Sequence, residues 1–207
     1  MDELDLKVIA LSSLRARKII GNKSIISNEF CIKGTRNRAD IAILGKKFIG
    51  IEIKSPKDSL FRLPLQSESY EKYFDKSILV ISEKHLSLYT DNGISHFDLW
   101  VVDWKGDVSI VHSNDYRKAD YAGLLSQSES RSYDELSSEE KFRLIFEKKF
   151  SHTSKKFWES IYGRKIKRED LLHLSRFHKE RSKINEKKKM KENFWQAWNE
   201  EIRGLAV

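Results

Sequence analysis

Asp40, Glu52 and Lys54 are ionisable residues on stretches that otherwise read as core. Arg38-Ala39-Asp40 leads into Ile41-Ala42-Ile43-Leu44, a Gly45-Lys46-Lys47 turn, Phe48-Ile49-Gly50-Ile51, and then Glu52-Ile53-Lys54. Burying a carboxylate or an amine forfeits several kcal/mol of hydration unless it is paired or holds a metal. A hairpin centred on Lys46 pairs Leu44 with Phe48, Ala42 with Gly50 and Asp40 with Glu52. Glu52 and Lys54 then share one face, while Ile51 and Ile53 point to the other. The small Ala42 and Gly50 leave room on the charged face for a ligand. Two opposed carboxylates repel unless a cation lies between them, so a divalent metal with Lys54 beside it is the chemistry expected. The plainer alternative is a surface hairpin with a solvated salt-bridge cluster, against which stand the apolar neighbours on both strands.

The flanking elements are legible from periodicity and punctuation. Leu4, Val8, Leu11 and Leu14 predict a helix over 2–20, with acids in its first turn and bases in its last. A strand is expected at 24–30, and Pro56 ends the second hairpin strand. Pro64 suits the first turn of a helix over 63–74, which puts Gln66 and Tyr70 one turn apart on one face. Ile78-Leu79-Val80-Ile81 reads as a strand covered on both faces. A short helix over 83–88, an Asn92-Gly93 turn and strands at 97–102 and 108–111 follow. That order predicts a mixed α/β sheet with helices on both faces.

Residues 114–138 read as connector. Ser137-x-x-Glu140 opens a helix to about residue 149, Phe157, Trp158, Ile161 and Tyr162 mark another closed by Gly163, and a long helix is expected over 168–202. The expected division is a core over 1–112 and a connector with a basic helical extension over 113–207, packed on the core.

At this point the chain resembles the PD-(D/E)XK nuclease superfamily, the fold of restriction endonucleases and of RecB-type and lambda-type exonucleases. The resemblance rests on Asp40, the hairpin and Glu52-x-Lys54, with Glu29 eleven residues upstream. It extends through Gln66 and Tyr70, which match the Gln-x-x-x-Tyr signature of the exonuclease branch. Ser55, Asp58, Arg62-Leu63, Phe74-Asp75 and Val102-Asp103-Trp104 resemble a compact bacterial and phage subgroup. Ala39 stands where the motif's name has proline. The resemblance covers residues 1–112 and implies a restriction-endonuclease-like mixed sheet flanked by helices. It also implies Mg²⁺, with Mn²⁺ able to substitute, bound by Asp40, Glu52, the Ile53 carbonyl and Glu29. Lys54 and Gln66 would act on the attacking water or the scissile phosphate, with Tyr70 lining the same pocket.

Composition fits a polyanionic partner, nucleic acid being the commonest, and the charge alone would suit a membrane surface too. The net charge of +8 is concentrated late: residues 1–134 hold 20 Lys/Arg against 19 Asp/Glu, and residues 135–207 hold 19 against 12. Arg36 and Arg38 precede Asp40, and Arg164-Lys165-x-Lys167-Arg168 and Lys187-Lys188 are the candidates for backbone contacts to nucleic acid, DNA above all. Such runs are more often solvated helix faces. Phe194, Trp195, Trp198 and Ile202 would dock the tail. A single cysteine, Cys31, excludes an internal disulfide, and the six histidines have no ligand spacing. No apolar run is long enough to cross a bilayer and the start lacks a signal-peptide pattern, so the cytoplasm is expected. The functional expectation is a Mg²⁺-dependent deoxyribonuclease. The alternative is a nucleic-acid-binding accessory module on the same fold.

Overall fold

The computed structural model describes residues 1–88, 94–133 and 135–175, with Met190 and Trp195 beyond them. The expected Asn92-Gly93 turn, most of the expected 168–202 helix, and Phe194, Trp198 and Ile202 lie outside the described residues. Residues 1–174 form one compact unit and 175–207 a second. The first unit extends well past residue 112, because the segment after that position supplies part of its core.

Six strands form one mixed sheet in the order β1 (Ile25–Cys31), β2 (Arg38–Leu44), β3 (Phe48–Lys54), β4 (Lys76–Ser82), β5 (Phe97–Val102), β6 (Val108–His112). The β3–β4 and β4–β5 pairs are parallel and the rest antiparallel. Helix α1 (Glu3–Ala16) precedes the sheet and α2 (Leu63–Tyr73) crosses from β3 to β4. A 3₁₀ segment, Glu83–Leu88, follows β4. The short α3 (Gln127–Arg131) and the long α4 (Ser138–Ser160) follow β6. Asp2 and Ser137 cap α1 and α4 in reciprocal capping boxes.

Strand alternation sorts the core onto two faces. Ile41, Ile43, Ile49, Ile51 and Ile53 pack with Leu6, Leu11 and Leu14 of α1. Ala42, Leu44 and Phe48 pack with Tyr70, Tyr73 and Phe74 at α2. Gly50 was expected to leave room for a ligand. Instead the Phe74 ring fills that room, and a Cβ added at Gly50 would meet it at 2.7 Å.

Helix α4 is continuous where two helices were expected. Its first half puts Phe142, Phe146 and Phe150 into the aromatic cluster around Phe30 and Phe48. Its second half puts Phe157 and Trp158 into the cluster on the other face. Between them it passes β1, an edge of the sheet. There Ser154 Oγ accepts a hydrogen bond from the Ile26 N–H at 2.8 Å and lies 3.1 Å from the Ile26 carbonyl. Trp158 Nε1 donates to the Ser24 carbonyl. The side chains thus satisfy backbone groups that an edge strand leaves unpaired. Arg168–Leu174 is a 3₁₀ turn, not the first turn of a long α-helix.

Candidate active site

The β2–β3 ladder runs from Leu44↔Phe48 to Ile41↔Ile51, as centring on Lys46 predicts. Beyond Ile41 a side chain takes over: Asp40 Oδ2 accepts the Ile53 N–H at 2.7 Å. The strands part there, so Asp40 is not an in-register partner of Glu52. The neighbouring strand is distorted at the same level. Glu29 adopts a left-handed backbone (φ 57°), uncommon for a residue with a side chain. Asn28 and Glu29 therefore both reach the α1 side, where Lys7 Nζ bonds them at 3.0 and 2.9 Å.

Glu52 is 2 % exposed and both its oxygens are engaged. Oε1 accepts from Lys54 Nζ at 2.6 Å, and Oε2 accepts from the Tyr70 hydroxyl at 2.7 Å. Lys54 Nζ also donates to Gln66 Oε1 at 3.0 Å. Burial, with the nearby charges of Glu52 and Asp40, pushes the Tyr70 phenol well above its usual range, which keeps it a neutral donor. Burial also raises Asp40, and the Glu52 charge adds to this, so its carboxyl is pushed up to about 7. Lys7 has the reverse balance. Burial disfavours its charge, but Glu3 at 2.8 Å and Glu29 outweigh that and leave its pKa raised.

The cleft has a volume of about 330 Å³. Glu3, Glu29 and Asp40 line it together, each offering one carboxylate oxygen within 4.8 Å of the others. Glu52, Ile53, Lys54 and Gln66 form one wall, and Arg36, Arg38 and Arg62 reach it from the rim. Arg38 also pairs with Glu29 at 3.3 Å. The turn after Lys54 is fixed from two sides. Asp58 accepts the Ser55 N–H at 2.7 Å, and a ring nitrogen of the buried His85 lies 2.7 Å from the Ser55 carbonyl.

The structure brings together Asp40, Glu52, Ile53, Lys54, Gln66, Glu29, Arg36 and Arg38 from the residues singled out in the sequence. Ile53 engages Asp40 through its amide. Tyr70 does not line the cleft as a nucleic-acid contact: it is fully buried and acts by holding Glu52. Arg164 and Arg168 are exposed outside the cleft, and each is paired with carboxylates. Arg164 forks onto Asp170 at 2.8 and 2.6 Å, and Arg168 bridges Asp2 and Asp5 of α1. Lys165 and Lys167 are exposed and outside the cleft. Lys187 and Lys188 lie outside the described residues. Sequence reasoning missed Glu3 and Lys7. The available signal was a lysine at the helical spacing of Leu11 and Leu14, on the stripe that faces the sheet.

Three comparisons with known proteins bear on this chain. The model of the family described as Bacteriophage P4 protein cII matches residues 1–137. Protein cII of Enterobacteria phage P4 is 29% identical over 125 residues, or 60% of this chain and 46% of that protein, so the chain spans less than half of that relative's length. Among solved structures, a protein of unknown function from Silicibacter pomeroyi is 16% identical, covering 68% of this chain and 87% of that one with a TM-score of 0.40. No helix among the described residues is long and apolar enough to cross a membrane. The family match takes in α1, α2, all six strands and every residue of the cleft, and the chain belongs to the family of bacteriophage P4 protein cII.

Proposed function

We propose that this protein is a metal-dependent nuclease that hydrolyses phosphodiester bonds in DNA, on a restriction-endonuclease-like version of its α/β fold. The observation that carries the reading is the meeting of Asp40, Glu52, Lys54 and Gln66 in one arginine-rimmed cleft. The hairpin ahead of a helix that links two parallel strands is consistent with that fold.

The donor set fits a hard divalent cation. It consists of carboxylate oxygens, with no thiol and no imidazole. Asp40 is held near 7 by burial and by Glu52, a cost that a cation would relieve. Mg²⁺, or Mn²⁺ in its place, would be held by Asp40 with Glu29 or Glu52, and would supply charge at the phosphate and a more acidic water. Lys54, poised between Glu52 and Gln66, would neutralise charge developing on a phosphate oxygen. Gln66 would orient the phosphate or the attacking water. Tyr70 fixes the Glu52 carboxylate, and the rim arginines would hold the strand by its phosphates.

One observation favours a second reading. Both oxygens of Glu52 are already engaged by Lys54 and Tyr70, as they would be in a nucleic-acid-binding module with no chemistry. The two are separated by incubating the protein with linear and circular duplex, single-stranded DNA and RNA under Mg²⁺, Mn²⁺ or EDTA, beside Asp40→Asn and Lys54→Met. Metal-dependent cleavage that falls by orders of magnitude in both variants is expected. Cleavage at the wild-type rate by folded Asp40→Asn would refute the nuclease assignment. Salt-sensitive binding without cleavage under any metal would establish the accessory module.

A further inference from the structure

We infer that Phe61 and Leu65 form a stacking shelf for an unpaired base of single-stranded DNA at the mouth of the cleft. The inference rests on the nucleic-acid reading above but not on catalysis.

Phe61 is 87% exposed and Leu65 67% exposed, at the start of α2. Their exposure is not the result of a loose loop. Its turns are closed by Asp58 N to the Ser55 carbonyl at 3.0 Å and Leu63 N to the Leu60 carbonyl at 2.9 Å. Ser59 Oγ accepts the Phe61 N–H at 3.2 Å, and Lys84 Nζ donates to the Pro56 carbonyl at 3.1 Å. Leu60 packs against the core and Leu63 is buried, so the segment is anchored by its inward side chains. Asn37 Nδ2 ties α2 to the loop before β2, donating to Ser69 Oγ at 2.7 Å and to the Leu65 carbonyl at 3.4 Å.

The surroundings select the occupant. Arg62, between the two apolar residues, lines the cleft with Arg36, Arg38 and Gln66, and Leu65 lines it directly. An exposed aromatic ring next in the chain to a cation that lines the cleft suits a strand that alternates base and phosphate. Phenylalanine makes no hydrogen bond, so it stacks on any base and reads no sequence. Bases inside a duplex have both faces covered, so away from duplex ends only an unpaired base can lie on the shelf. A protein partner would not need the arginines at the rim of the cleft.

The test is equilibrium binding by fluorescence anisotropy, with Ca²⁺ replacing Mg²⁺ to suppress cleavage, on a labelled single strand and an internally labelled duplex minicircle, which has no exposed end. Phe61→Ala is expected to bind the single strand about tenfold more weakly and the duplex as the wild type does. Phe61→Tyr should retain affinity. The salt dependence should be unchanged in Phe61→Ala, whereas Arg62→Ala should lower its slope by about one. Moving one abasic site along the strand should cost the wild type the same factor at one position and cost Phe61→Ala nothing there. Equal single-strand affinity of wild type and Phe61→Ala would overturn the shelf while leaving the nucleic-acid reading intact. A wild type that binds no nucleic acid would remove both.

Discussion

Replacing Asp40 by Asn should make the metal-free protein more stable, and the gain should grow with pH. Asp40 ionises near 3.8 in an unfolded chain and near 7 in the native one, because burial and the Glu52 charge oppose its negative form. Below pH 3.8 the proton is bound in both states and the group costs nothing. Between those values the native state holds a proton that the unfolded chain has released, so stability falls as pH rises. Above about 7 the penalty is complete. At about 1.4 kcal/mol for each pH unit crossed, its upper limit is about 4 kcal/mol, and water at the cleft mouth lowers this to about 2. Asn carries no charge, and its carbonyl can accept the Ile53 N–H as the carboxylate does. For a chain of this length, 2 kcal/mol is about 4–8 °C in Tm. Thermal melts by circular dichroism in EDTA should therefore give Asp40→Asn a Tm near that of the wild type at the acid end and clearly above it at about pH 8. Added Mg²⁺ should raise only the wild type. A variant less stable than the wild type at the alkaline end would refute the electrostatic argument.

Three other substitutions probe the surrounding frame. Tyr70→Phe removes the donor to Glu52 Oε2 and should cost about 1–3 kcal/mol in urea unfolding, with cleavage impaired in the folded fraction. Gly50→Ala drives a methyl against the Phe74 ring and should cost about 1–3 kcal/mol without changing the cleft's charge. Lys7→Met leaves the partly exposed Glu3 and Glu29 without their counter-ion and should cost about 1–2 kcal/mol at neutral pH, which divalent cations should partly restore. An equal loss with and without Mg²⁺ would argue against cation binding at Glu3 and Glu29.

The hairpin was legible because its three signals agree: a glycine turn, period-two alternation, and ionisable residues at fixed distance from the turn. Its register from Leu44↔Phe48 to Ala42↔Gly50 follows from those alone. The departure at Asp40 does not, because it depends on Asp40 finding the Ile53 amide and on Glu29 taking a left-handed conformation. Neither is written in local propensity. Tyr70 sits on the same face as Gln66, but only depth in the sheet distinguishes a group that meets ligand from one that holds a carboxylate. The expected break in α4 lay between about residue 149 and Phe157, a stretch that holds Ser151-His152-Thr153-Ser154, polar residues of modest helix propensity. Tertiary contacts override it: Ser154 bonds β1 while rings on either side enter the two faces of the core. Lys7 was hidden in a helix whose apolar stripe otherwise explained itself.

The seal along β1 has a consequence for how this chain can be cut. The span shared with the phage family ends at residue 137, and α4 starts at Ser138. A fragment stopped at that shared limit keeps every cleft residue but loses the hydroxyl at Ile26 and the rings that cover Phe30 and Phe48. Its outer strand would then offer unsatisfied amides beside a greasy flank, a template for self-association. The smallest unit fit for expression is therefore set by hydrogen bonding along that margin and by the core residues Ile166, Leu171 and Leu174 beyond α4, and it runs to residue 174.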